Sequence, residues 1–94
     1  MATTYKYPSK DPGEVLDYQL DWSKRLAGDI ITSSSWVNES NTDIILSNES
    51  YANTKTTIWV SGGTSNSSYT LTNTVLTLGD RTLVQSVVLP VANN

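Results

Sequence analysis

The stretch from Lys10 to Leu26, KDPGEVLDYQLDWSKRL, sets four carboxylates, Asp11, Glu14, Asp17 and Asp21, beside two large aromatics, Tyr18 and Trp22. Two carboxylates can do general acid–base chemistry when one is desolvated, so that its pKa rises, while the other stays ionised. That contrast is missing here. Strand alternation puts Asp17, Gln19 and Asp21 on one face and Tyr18, Leu20 and Trp22 on the other, and helical spacing also keeps Asp17 and Asp21 away from the aromatics. Both acids are therefore expected in water and the aromatics in a core. No DxDxDG spacing offers a calcium loop. The chain has no Cys and no His, which excludes disulfides, thiolate or imidazole metal centres and every His-dependent catalytic pair. The expectation is no catalytic, cofactor-binding or metal-ligating residue.

A chain of 94 residues suits one domain. Six Lys and Arg against nine Asp and Glu give a net charge of −3, which opposes a phosphate backbone and argues against nucleic-acid binding. No apolar run approaches the ~20 residues of a membrane span, and the opening residues lack the charged-then-apolar pattern of a leader. The abundant residues are 13 Thr, 13 Ser and 8 Asn, a composition suited to strands with one solvated face. The Asn-x-Ser matches at Asn38, Asn48 and Asn66 follow from that composition alone. The Ser61 to Ser68 run, SGGTSNSS, has the glycines of a phosphate loop but no Lys, so it is expected to be a turn.

The elements that would position these residues are strands. In SYTLTNTVLTLGD, Tyr69, Leu71, Asn73 and Val75 share one face, and Thr70, Thr72 and Thr74 the other. RTLVQSVVLPV, residues 81 to 91, puts Leu83, Val87, Leu89 and Val91 on one side, and the LGDR turn before it makes the two strands a hairpin. Residues 29 to 37 and 42 to 52 read as strands joined by NESN, and the opening stretch as a strand with a helical turn at SKRLA. Tyr69 followed by Leu71 has the spacing of a tyrosine corner, whose hydroxyl bonds back to the preceding loop. Trp22, Trp36, Trp59 and Leu71 are expected to fill the inter-sheet core. Strands spaced by turns in this way predict an antiparallel β-sandwich over 14–94. Residues 1–13, with two prolines and a glycine, predict an extended N-terminal arm. Tyr5, Tyr7 and Pro8 on that arm, with the wet Asp17 and Asp21, are the candidate partner-docking residues.

Lys10-Asp-Pro12, Leu16-Asp-Tyr18, Asp21-Trp22, Gly28-Asp-Ile30, Trp59 to Gly63 and Tyr69 to Asn73 occur in an order that resembles a family of small tailed-phage virion proteins. The resemblance spans residues 10 to 91. It implies an immunoglobulin-like sandwich without enzymatic activity, acting as a tail-fibre adaptor or head-tail junction component. The implied partners are other phage virion proteins of the tail, portal, fibre or capsid, with several copies of the chain in the particle and no nucleic acid or membrane. It implies synthesis in the host cytoplasm and residence in the virion. A capsid decoration protein is the alternative within structural roles, and a carbohydrate-binding module using the three Trp and five Tyr is the alternative outside them.

Overall fold

The structure, a computed structural model, describes residues 5–40 and 43–93. Alternating apolar and polar residues bury one face of each strand, and two such faces close on each other as an immunoglobulin-like β-sandwich. The strands are β1 (Tyr5–Lys6), β2 (Leu16–Asp21), β3 (Ile31–Asn38), β4 (Ile44–Tyr51), β5 (Lys55–Gly62), β6 (Ser67–Thr77) and β7 (Thr82–Val91), with one helical turn, α1 (Ser23–Leu26), between β2 and β3. One sheet has the order β1-β7-β6-β3 and the other β2-β5-β4. The β6–β7 hairpin runs in register from Ser67↔Val91 to Leu76↔Thr82, as LGDR predicts. The NESN link makes no hairpin: β3 pairs with β6 and β4 with β5, so the chain crosses between sheets there.

The core alternates as the pattern requires, with Tyr18, Leu20, Ile58, Val60, Leu71, Val75, Val87 and Leu89 all buried. Within it lies a polar bridge. The Trp22 indole N–H donates to the Asn73 side-chain carbonyl at 3.0 Å, and the Thr56 hydroxyl donates to the same oxygen at 2.6 Å. The Asn73 amide then donates to the Ser34 hydroxyl at 2.9 Å and to the Ser35 carbonyl at 2.8 Å. One side chain on β6 thereby joins β5 of the opposite sheet, the end of β2 and the neighbouring β3. Asn73 and Thr56 are fully buried, so nothing but these partners can satisfy them.

Two expectations need correction. Trp59 is 36% exposed, not core. Ile58 and Val60 face inward on β5, and the period of two then turns Trp59 out to solvent. The arm is corrected as well: residues 1–4 lie outside the described residues, but from Tyr5 on the segment belongs to the sandwich. β1 pairs in parallel with β7, Tyr5 opposite Val87 and Lys6 opposite Val88, and Lys10 forms a further parallel bridge to Val91. The reason is that β7 would otherwise leave its N–H and C=O groups open on a sheet edge, which an extended segment can satisfy even without apolar periodicity.

Asn73→Ala should lower stability by about 3 kcal/mol, because it strips partners from two or more buried groups at ~1–3 kcal/mol each. Urea unfolding measures it, and a loss below about 1 kcal/mol would show that the bridge contributes little. Trp22→Ala should cost ~3–5 kcal/mol, as a large core truncation, while Trp59→Ala should cost about 1 kcal/mol or less. Equal melting temperatures for those two variants would contradict the burial described.

Candidate docking surfaces

The four carboxylates of the opening stretch have separate uses. Asp11 and Glu14 shape a turn: the Gly13 N–H donates to Asp11 Oδ1 at 2.8 Å and the Asp11 N–H to Glu14 Oε1 at 2.8 Å. Asp21 accepts from the Ser23 N–H at 2.9 Å, and that bond holds its pKa below the ordinary carboxylate range. Asp17 is bonded to none of the described residues and points to solvent from β2.

Lys10, just ahead of them, is fully buried, and its ammonium donates to the Asp11 carbonyl at 2.8 Å and the Gly62 carbonyl at 2.7 Å. Burial pushes its pKa down, against the pull of Glu14 and Asp11. Gly62 itself has φ +80°, and a Cβ there would lie 2.6 Å from the Asp43 carbonyl oxygen, so the Gly-Gly turn is a backbone requirement. In the following loop the Thr64 N–H donates to the Tyr69 hydroxyl at 2.8 Å, which realises the expected tyrosine corner.

Asp29 clamps the far end of the sandwich. Its carboxylate accepts from the Ile30 N–H at 2.8 Å, the Gly79 N–H at 3.0 Å and the Arg81 Nε–H at 3.1 Å. The Thr77 hydroxyl first, then Ile30, Gly79 and Arg81, hold its carboxyl at about 2, against an ordinary 3.8. A carboxylate so firmly ionised is a hydrogen-bond acceptor, the opposite of a general acid. Among the described residues, no three or more Asp or Glu side chains converge where they could hold a metal ion.

Among the described residues, three surfaces stand out for contact with other molecules. The first is a groove of about 400 Å³ between β1 and β2, lined by Lys6, Tyr7, Gln19, Asp21, Lys24 and Arg25. Arg25 lies 5.1 Å from the centre of the Trp22 ring and donates to the Val84 carbonyl at 2.8 Å. The second is the outer face of β1-β7-β6-β3, where Thr70, Thr72, Thr74 and Ser86 surround the exposed Val37, Leu76 and Val84. The third is the outer face of β2-β5-β4, where Asp17, Trp59 and Ser47 stand side by side across the three strands.

Of the predicted docking residues, Tyr7 and Asp21 meet at the groove, while Asp17 stands apart beside Trp59. Tyr7 is not a free anchor. Its ring packs 4.6 Å from that of Tyr18, its hydroxyl donates to the Gln19 carbonyl at 2.9 Å, and burial raises its pKa. Pro8 is exposed, and the side chain of Tyr5 lies outside the described residues. Sequence reasoning missed the outward Trp59 and the exposed Val15 and Ile45 at the edges of the same sheet. The signal was present in TTIWV, because Ile58 and Val60 cannot face inward unless Trp59 faces out.

A family model described as Podophage GP4 fiber-tail adaptor protein gp77 matches residues 10–90. Among solved structures, the PKD domain from KIAA 1837 protein is similar, with a TM-score of 0.56 at 24% identity, covering 99% of this chain and 81% of that one. That likeness supports the immunoglobulin-like fold. Among curated proteins, none is significantly similar in sequence.

Because the folded state holds Asp29 at about 2, below its ordinary 3.8, its contribution to stability is complete above about pH 4 and fades as pH falls towards 2. Asp29→Asn should be less stable than wild type at pH 7 and should lose less on acidification through that window. Urea midpoints from pH 7 to pH 2 measure this, and parallel curves for the two proteins would contradict it.

Proposed function

This chain belongs to the podophage fiber-tail adaptor family, and from that premise we propose that it is a non-enzymatic joint of the virion, seated between the tail and its fibres. The family match over residues 10–90 carries this reading. The structure supports it through the use made of polar chemistry: Lys10, Asp29, Thr56, Asn73 and Arg81 all hold the fold together by hydrogen bonds. What the sandwich offers outward is surface. Copies of the chain contact other virion proteins through exposed groups such as Pro8, Asp17 and Asp21, with the backbone pairing of Tyr5 and the ring and hydroxyl of Tyr7 fixing the edge strand beside them. The chain is made in the host cytoplasm and ends in the particle.

Cryo-electron microscopy of the assembled particle tests the proposal. Density for the sandwich should lie at the tail vertex, between tail and fibre. A sandwich repeated over the capsid shell would instead identify a decoration protein and defeat the adaptor reading.

A further inference from the structure

The outer face of β2-β5-β4 has the features of a contact surface. Trp59 sits on the central strand with Asp17 directly opposite on β2 and Ser47 on β4. One row along, Ser61 lies opposite Ile45 on β4, and Val15 directly precedes Leu16, whose partner on β5 is Val60; Val15 is 59% and Ile45 64% exposed. Trp59 thus has a carboxylate and a hydroxyl beside it and an exposed aliphatic side chain one row along, and Trp is enriched in interface cores. Charge narrows the partner. Asp21 stands opposite Lys55 in the β2–β5 register and accepts from the Ser23 N–H, so its charge is answered within the chain. Asp17 has no such answer among the described residues, in a chain whose net charge is −3.

We infer that this face is the docking site for a second virion protein that presents an arginine to Trp59 and Asp17, flanked by apolar side chains over Val15 and Ile45. A guanidinium stacks on an indole and gives parallel hydrogen bonds to a carboxylate, so one arginine uses both groups together. The aliphatic flanks favour a protein over a glycan, because Val15 and Ile45 offer no hydrogen bond to a hydroxyl. The inference rests on the adaptor reading and adds the surface and the chemistry of its partner.

The test supplies the chain from a plasmid to phage lacking its gene and quantifies it in purified particles by mass spectrometry. Trp59→Ala and Asp17→Arg should fall at least tenfold in occupancy, and Asp17→Glu, which keeps the charge, should stay within twofold of wild type. Melting temperatures of the purified chains check folding, and should Trp59→Ala fail to fold, Asp17→Arg and Ile45→Glu carry the test. Suppressors of Asp17→Arg should replace an arginine of another virion protein, which names the partner. Wild-type occupancy of both Trp59→Ala and Asp17→Arg would overturn the docking face and leave the adaptor reading standing. Absence of the wild-type chain from particles would overturn both. A purified dimer that Trp59→Ala dissociates, or a glycan that quenches Trp59 fluorescence while the variants still incorporate, would assign the face to a second copy or to a sugar and overturn the arginine assignment.

Discussion

The fold turns on the Asn73 side chain. Its carbonyl accepts from Trp22 and Thr56 and its amide donates to Ser34 and Ser35, so one buried group links both sheets and the segment that crosses between them. Hydrophobic burial draws two apolar faces together without fixing how one lies on the other. A buried polar group does fix it, because any other register would leave donors and acceptors without partners in a dry interior. The bridge therefore sets the relative position of β5 and β6, and with them the outer faces they carry.

The short motifs behind the family resemblance meet in space. Lys10 reaches the Gly62 carbonyl of the Gly-Gly turn, Trp22 reaches Asn73, and Asp29 reaches the Gly79 N–H and the Arg81 guanidinium of the last hairpin. Gly79 is required by the last of these, since a Cβ there would lie 2.7 Å from the Asp29 carboxylate. Such pairs join segments far apart in the chain, and each satisfies a group that the fold buries or a turn leaves open. They explain why residue types that often serve chemistry here serve architecture.

Contact with partners then falls to side chains the core does not use. Outward positions on an antiparallel sheet alternate with inward ones, so a strand can change its outer residues without disturbing the core. Trp59 occupies such a position between Ile58 and Val60, and Asp17 between Leu16 and Tyr18. The N-terminal segment is engaged differently. Its backbone closes the edge of β7 and Tyr7 reaches across to β2, which ties the two sheets together at their open side.

Alternation in the sequence by itself determined the strands β6 and β7, their hairpin, the wet face of Asp17 and Asp21, the tyrosine corner and the sandwich class, because these follow from a period of two and from local turn chemistry, whereas β2, which also fits helical spacing, needed its Tyr and Trp enrichment to read as a strand. The alternation also contained the outward orientation of Trp59, which a general preference for burying Trp obscured. Only the tertiary structure decided the rest. Residues 5–10 have no apolar rhythm, and their place on the edge of β7 comes from backbone hydrogen bonds that any extended sequence can make. The burial of Lys10 depends on the Gly62 carbonyl, 52 residues away, and the polar bridge on bringing Trp22, just past β2, against Thr56 on β5 and Asn73 on β6, 34 and 51 residues further along. Local pattern records which face a residue takes; which distant residue it meets there is decided by how the sheets pack.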